Sequence, residues 1–207
     1  MGVETVSVRE ASFVAGVPVK AVHKAIDEAK LRRGVVRRRR ERMLDRRAVL
    51  QLALEKELEQ RISTEIRPSV RAGFLTAIAA ADRRADIEVR LGDSLVLLIE
   101  VKSIADRVDR RWQRLSRALD AIVEDPDIQA GAPTFKGTRV LVWPIVEALE
   151  QGEPEPELLK HYPALSRDKL EAARLYAEVR PRRGRPKTAR RRMAAKSSRI
   201  VRRARPT

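Results

Sequence analysis

Two groups of basic side chains in the first 40 residues have the chemistry of phosphate binding. Lys20 and Lys24 are four residues apart, which places both on one face of a helix. A denser group follows in residues 32–40, where six of the nine residues are arginine. Clustered cations neutralise nucleic-acid phosphates, although a solvated polar face is an equal alternative for the two lysines. The predicted DNA-binding residues are Lys20, Lys24, Arg32, Arg33, Arg37, Arg38, Arg39 and Arg40.

A second basic region forms the end of the sequence. Residues 180–207 hold 13 of the 45 lysines and arginines and no acid, so they account for most of the formal net charge of +16. Such concentrated charge implies an anionic partner. The stretch RRGRPK has the pattern of an AT-hook, whose slim Arg-Pro backbone fits a narrow minor groove. An acidic protein surface is the other candidate partner, and a solubilising tail is the third interpretation. The predicted partner-binding residues are Arg182, Arg183, Arg185, Lys187, Arg190 and Arg191.

One set of residues could support hydrolysis. Asp86 and the triplet Glu100-Val101-Lys102 have the spacing of the PD-(D/E)xK nucleases, in which such residues on neighbouring strands bind Mg²⁺ and orient water. Strand alternation predicts that Glu100 and Lys102 share a face. The alternative is an ordinary hairpin with an ion pair on its solvent face. We favour the ordinary hairpin because short motifs recur by chance, and we predict that the chain is not an enzyme.

The composition limits which kinds of site and which classes of protein remain possible. There is no cysteine and there are two histidines, His23 and His161, so neither a disulfide nor a metal site is expected, and no cofactor is implied. The 43% of hydrophobic residues is sufficient for a packed core, which must be aliphatic because aromatic residues make up 3%. No run approaches the roughly 20 apolar residues of a membrane-spanning helix, and no apolar signal segment is evident. We therefore expect a cytoplasmic protein without a membrane partner.

The elements that must position the first basic group are two short helices and a hairpin. Ser7 and Glu10 form a capping box that predicts a helix from Val8, and Gly16 is suited to end it. Pro18 is suited to begin a second helix. A turn at Gly34 then introduces a basic hairpin, and a third helix runs from Asp45 to Leu58. Two short helices joined by a tight turn and followed by a hairpin predict a winged helix-turn-helix over residues 1–60.

The middle of the chain, residues 61–124, is predicted to be a connecting segment of helix, hairpin and helix. The first helix covers Arg71–Arg83, and the hairpin turns at Gly92-Asp93. Ser103 is predicted to cap the second helix. Its apolar face, including Trp112, Leu115 and Leu119, is a candidate dimer contact. Ile104, Val108 and Ile122 complete that face.

Residues 125–179 have the pattern of a small three-helix domain. The stretch GTRVLVWPIVEAL turns from strand to helix, Glu155–Tyr162 is the second helix, and Ser166 caps the third. Gly137 and Thr138 are predicted to form and cap the intervening turn. Residues 180–207 lack the apolar content for a core, so we predict a disordered basic tail.

Two stretches resemble known families. VREASFVAGVPVKAVHKAIDEAKL, with the basic segment after it, resembles the winged helix-turn-helix of excisionase and MerR-like regulators. DPDIQAGAPTFKGTRV, LEQG and ELLKHYPALSRDKLEAARLYA resemble the small helical domain of unknown function in VapB-type antitoxins, although Gln129-Ala130 replaces a smaller, glycine-containing turn. The resemblance implies a repressor of its own operon that neutralises a PIN-like ribonuclease toxin.

The sequence thus predicts a mainly α chain with short β-hairpins: a winged helix-turn-helix, a three-helix C-terminal domain and a disordered basic tail. The expected partners are operator DNA, the cognate PIN-like toxin and a second copy of the chain. Arginines of the tail would pair with the metal-binding carboxylates of the toxin. The main alternative is a stand-alone transcription regulator in which both the wing and the AT-hook-like tail contact DNA.

Overall fold

The computed structural model describes residues 5–28, 31, 34–38, 41–79, 86–91 and 95–182. This part of the chain is mainly helical with short antiparallel strand pairs, which confirms the predicted fold class at that level. No helix in these ranges is both long and apolar enough to cross a membrane. The elements in chain order are β1 (Thr5–Ser7), α1 (Val8–Ala15), α2 (Val19–Asp27), β2 (Val35–Arg38), β3 (Glu41–Asp45), α3 (Arg46–Arg61), α4 (Arg67–Ala79), β4 (Ile87–Leu91), β5 (Leu95–Ile99), α5 (Val101–Asp120), β6 (Ile122–Val123), a 3-10 turn (Gln129–Gly131), β7 (Thr134–Phe135), α6 (Val142–Glu150), α7 (Glu155–His161) and α8 (Arg167–Val179).

The predicted boundaries of α1 are confirmed. The Ser7 backbone N–H donates to Glu10 Oε2 at 2.8 Å, and the Glu10 N–H donates to Ser7 Oγ at 3.4 Å. Gly16 ends the helix in the left-handed conformation, with φ 69°. Pro18 is the N-cap residue of α2, so the helix begins at Val19, one position after the predicted start.

Strand β3 is the centre of a three-stranded antiparallel sheet with the order β1-β3-β2. Strands β2 and β3 pair from Val35 with Leu44 to Arg38 with Glu41, which agrees with the predicted hairpin after Gly34. Gly34 lies at the base of the hairpin, where its carbonyl accepts from the Asp45 N–H at 2.8 Å. Strand β1 was not predicted, because three residues are too few to show an alternating pattern.

Helix α3, predicted from Asp45 to Leu58, begins after Asp45, whose Oδ1 accepts from the Ala48 N–H at 2.8 Å, and it continues to Arg61.

The middle segment has the predicted order of helix, hairpin and helix, but both helices begin earlier than predicted. Helix α4 begins at Arg67, whereas the sequence pattern placed its start at Arg71. Strands β4 and β5 form the predicted antiparallel hairpin, whose turn lies outside the described residues. The prediction that Ser103 caps α5 is wrong, because the helix already begins at Val101. Val101 is buried in line with Ile104 and Val108, so the helical apolar face starts there.

The three predicted C-terminal helices are confirmed as α6, α7 and α8. Ser166 Oγ accepts from the Lys169 N–H at 3.3 Å at the start of α8. Thr138 caps the turn as predicted, because its hydroxyl donates to the Phe135 carbonyl at 2.8 Å. Ile122 leaves the α5 face to which it was assigned and pairs with Phe135 between β6 and β7.

The buried side chains form two clusters that meet at α8. The first is built mainly from α1, α3 and α5, and the second from β6, β7 and the last three helices. One side of α8 contributes Ala172, Leu175 and Val179 to the first cluster. Other positions of the same helix, including Leu170 and Tyr176, belong to the second cluster. Helix α8 therefore holds the N-terminal elements and the C-terminal helices together.

Candidate nucleic-acid interface

Helix α2 presents its basic residues to solvent. Val22 and Ala25 are buried against the first cluster, which leaves Lys20, His23 and Lys24 exposed on the opposite side. The Lys24 side chain is 70% exposed and lies 3.8 Å from Glu28, close enough for only a weak ion pair. The structure therefore places both predicted lysines on an open helix face. His23 lies on the same exposed face.

The β2–β3 hairpin is attached to the C-terminal end of α2. Arg42 Nη1 lies 2.7 Å from Asp27 Oδ1, which ties β3 to the helix. The backbone of Arg37 and Arg38 lies in β2, opposite Arg42 and Glu41 of β3. The ion pair thus fixes where the basic strand lies relative to α2. The side chains of Arg37 and Arg38, and the whole of Arg32, Arg33, Arg39 and Arg40, lie outside the described residues.

A cleft of about 1180 Å³ lies between these N-terminal elements and the C-terminal helices. Its N-terminal wall includes His23 of α2 and Arg42 of β3, and its C-terminal wall includes Trp143, Arg180 and Arg182. The basic tail therefore starts opposite α2 and the hairpin. No sequence pattern indicated this proximity, because the two walls are far apart along the chain.

Arg180 joins the two walls of the cleft. Its Nε lies 3.2 Å from Glu10 Oε1, while Glu10 Oε2 accepts from the Ser7 N–H. Glu10 is 4% exposed, and this pairing explains how a carboxylate is tolerated there. The Arg180 guanidinium also lies 5.8 Å from the centre of the Tyr176 ring. The capping glutamate of α1 is thus shared with the first arginine of the basic tail.

Arg182, the first of the predicted partner-binding residues, contacts two side chains of its own chain. Its Nη1 lies 3.2 Å from Glu147 Oε1, and its guanidinium is 5.9 Å from the centre of the Trp143 ring. The Arg182 side chain is still 65% exposed, so these contacts orient the residue without removing it from solvent. The other predicted residues of this group, Arg183, Arg185, Lys187, Arg190 and Arg191, lie outside the described residues.

Tyr176 stabilises the C-terminal wall of the cleft. Its hydroxyl donates to Glu124 Oε1, and its ring meets Trp143 in an edge-on contact with a centroid distance of 6.0 Å. Burial, together with the hydrogen bond to Glu124, raises the pKa of Tyr176 to about 12. The phenol is therefore neutral at physiological pH and acts as a fixed donor.

The residues that suggested hydrolysis are not aligned on one strand. Strand β5 ends at Ile99, Glu100 precedes α5, and Lys102 lies inside that helix. The prediction that Glu100 and Lys102 share a strand face is therefore wrong, because the buried spacing of Val101 and Ile104 favours helix. In the ranges that the structure describes, no three histidine, aspartate or glutamate side chains are grouped as a metal site.

Comparison with known proteins gives a family match for the C-terminal part of the chain. Residues 122–177, from β6 to α8, match the family described as "Protein of unknown function (DUF433)". An uncharacterised protein, y4eO of Sinorhizobium fredii, is 28% identical over 193 residues, which cover 88% of this chain and 84% of that protein. A crystal structure of Rv2018 from Mycobacterium tuberculosis aligns with 81% of this chain and 96% of its own, at 18% identity and a TM-score of 0.34.

Proposed function

We propose that this chain is the antitoxin of a type II toxin-antitoxin pair, which binds operator DNA and inhibits a PIN-like ribonuclease. The observation that carries the DNA-binding part is the open face of α2, with Lys20, His23 and Lys24, beside a basic hairpin held by the Arg42–Asp27 ion pair. Helix α2 follows α1 across a three-residue turn, and the hairpin continues into α3. These features support a winged helix-turn-helix, with α2 in the major groove and the hairpin on the phosphate backbone.

The toxin-binding part of the proposal concerns the segment that follows Arg182. This segment contains many arginines and no acid, which suits it to an acidic protein surface. Ribonucleases of the PIN type hold metal with clustered carboxylates, and an inserted arginine would pair with those acids and block the site. The Arg180 and Arg182 contacts support this role, because they anchor the base of the segment on the folded part of the chain. A homodimer would let two helix-turn-helix units bind a pseudo-palindromic operator.

DNA binding is tested with the promoter fragment upstream of the gene that encodes this chain. We expect the variant Lys20→Ala/Lys24→Ala to weaken binding and to lower the slope of log affinity against log salt by about 2, one for each phosphate that is no longer neutralised. Lys136→Ala/Lys160→Ala removes two exposed lysines from the C-terminal part and serves as the matched control. Equal salt slopes for the two variants would contradict a DNA-binding role for α2.

Toxin binding is tested by truncation after Arg182. This cut preserves the Arg180–Glu10 and Arg182–Glu147 contacts, so the folded part is undisturbed. We expect the truncated chain to lose inhibition of the ribonuclease encoded beside it, measured as cleavage of a fluorescent RNA, while promoter binding is largely retained. Full inhibition by the truncated chain would show that residues 183–207 are not the inhibitory segment.

A stand-alone regulator is the second candidate, and the cleft is the observation that favours it. Because Arg180 and Arg182 face His23 and Arg42 across this cleft, the segment beyond them starts near the proposed DNA surface. In that case the same truncation lowers the salt slope of promoter binding by several units. A large fall in slope with no ribonuclease partner would establish this function instead of the antitoxin.

A further inference from the structure

The outer face of the β4–β5 hairpin exposes apolar side chains. Val96 and Leu98 of β5 are 53% and 57% exposed, and they are the large apolar residues left open in the described part of the chain. The inner face of the same hairpin is covered, because Ile87 is buried and Leu97 and Ile99 pack against the first core cluster. The hairpin therefore packs on the core through one face and leaves the apolar row of the other face open to solvent.

The outer face also carries one acid and one base in a defined arrangement. Strand pairing sets Glu88 opposite Leu98 and Arg90 opposite Val96, so these four side chains point to the same side. All four are exposed. The face therefore has a charged row on β4, with one residue of each sign, and an apolar row on β5.

We propose that this face binds the same face of a second copy of the chain, in a two-fold symmetric dimer. A two-fold axis that lies between the hairpins and is perpendicular to their strands reverses the strand direction in one copy. Leu98 of one chain then faces Val96 of the other, and Glu88 of one chain faces Arg90 of the other. Each contact occurs twice, as an isologous interface requires.

Self-complementarity is what favours a second copy over another partner. The two-fold rotation that packs the apolar row of one chain against the apolar row of the other also places Glu88 opposite Arg90. The four residues therefore satisfy one another without a partner of different chemistry. Charge placement of this kind fixes the register and disfavours other alignments. The surface differs from the α5 face predicted from sequence, because Leu115 of that face is buried inside the chain and Trp112 and Leu119 pack against its core.

The inference rests on the proposed function in that it names the surface of its homodimer, but its test needs neither DNA nor toxin. The full chain is examined by sedimentation equilibrium over a wide range of concentration. We expect a species of twice the 23.5 kDa chain mass for the wild type. Glu88→Arg and Arg90→Glu each create two like-charge contacts by symmetry, and we expect each to weaken the dimer about tenfold or more.

Restoration of the dimer is the decisive result. The double variant Glu88→Arg/Arg90→Glu should dimerise as the wild type does, and an equimolar mixture of the two single variants should form a heterodimer. Both results also show that the variant chains are folded. Arg110→Glu and Asp120→Arg make matched charge changes at exposed positions of α5 and should leave the dimer unchanged.

Three outcomes would overturn the proposal. The wild type could be a monomer throughout, the double variant could fail to restore the dimer, or the α5 variants could disrupt it while the hairpin variants do not. A monomer that still binds the promoter would leave the DNA-binding function in place and remove this interface alone.

Discussion

At the scale of single residues, the turn before β7 contains an unusual backbone. Gln129, Ala130 and Gly131 adopt positive φ in succession, at 51°, 54° and 79°. This region is strained for residues with a Cβ, and alanine has no polar side chain that could offset the strain with a local hydrogen bond.

Ala130→Gly should therefore stabilise the protein, by about 1 kcal/mol in the free energy of unfolding. The measurement is urea denaturation followed by circular dichroism. Ala132→Gly is the matched control, because Ala132 has φ −68° and gains nothing from glycine there. We expect the control to lose stability by up to about 1 kcal/mol through the added freedom of the unfolded chain. A loss of stability in both variants would mean that position 130 is not strained.

The pKa of Tyr176 predicts how stability changes at high pH. Because its folded pKa of about 12 lies above the ordinary value of 10.0, the folded state holds the phenol proton more tightly than the unfolded state does. This contribution is fully present below pH 10 and is lost as the pH rises through 12. Urea midpoints measured against pH should therefore converge for the wild type and Tyr176→Phe above pH 10. Parallel curves would show that the phenol does not titrate in this way.

Local hydrogen bonds are the part of the site that the sequence predicts. The Ser7–Glu10 capping box and the Ser166 cap lie within three residues of their partners, so spacing alone identifies them. The second partner of Glu10 could not be found in that way. Arg180 is 170 positions away, and only the packing of α1 near α8 brings the two together.

At the scale of elements, the end of α1 is fixed by a close approach as well as by a turn. A Cβ added at Gly16 would overlap the Arg111 Nη1 atom of α5, and Lys56 of α3 donates to the Gly16 carbonyl at 2.8 Å. The C-terminus of α1 therefore contacts basic side chains of α3 and α5, which suits the negative end of a helix dipole. This arrangement sets the position of α2, which begins three residues later.

Gly16→Ala and Gly137→Ala should destabilise the protein by similar amounts. Both glycines have positive φ, at 69° and 76°, so both substitutions carry a backbone cost of about 1 kcal/mol or more. Gly137 has no atom within 4 Å of the added Cβ, and the Cβ at Gly16 meets only the guanidinium of Arg111, the end of an exposed side chain that can move aside. Thermal denaturation of both variants, and of Gly16→Ala/Arg111→Ala, measures the difference. A much larger loss at Gly16 that the double variant recovers would show that the Arg111 side chain is held in place.

Elements with a long apolar period were predictable, and short ones were not. The spacing of Ile104, Val108 and Leu115 identifies α5, but Ser103 misled the prediction of its start because a capping residue can also lie inside a helix. Strand β1 depends on its pairing with β3, where Val6 and Leu44 are both fully buried. That pairing joins residues on either side of α1 and α2, which no local pattern records.

At the scale of the whole molecule, Arg180 is the residue that joins the start of the chain to its basic end. Arg180→Gln should lower the free energy of unfolding by about 1 kcal/mol, because it leaves the nearly buried Glu10 without its cation. Arg174→Gln breaks an ion pair with Glu155 whose side chains are both more than one-third exposed, at 53% and 35%, and should have a smaller effect.

A double-mutant cycle isolates the Arg180 contact. In the Glu10→Gln background, the capping hydrogen bond to the Ser7 N–H can persist while the charge is absent. We expect a coupling energy of about 0.5–1 kcal/mol between positions 10 and 180 by chemical denaturation. Additive effects of the two substitutions would mean that the ion pair does not hold the two walls of the cleft together.

Because α8 contributes to both buried clusters, it couples the N-terminal elements to the C-terminal helices. Because α8 packs on both clusters, a shift of the helix against one cluster must either disturb its packing on the other or carry that cluster with it. A protein partner that rigidifies α8 through the C-terminal helices would therefore slow hydrogen exchange in α1, and DNA bound near α1 would do the same for α8. By thermodynamic linkage, each partner would alter the affinity of the chain for the other by the same factor.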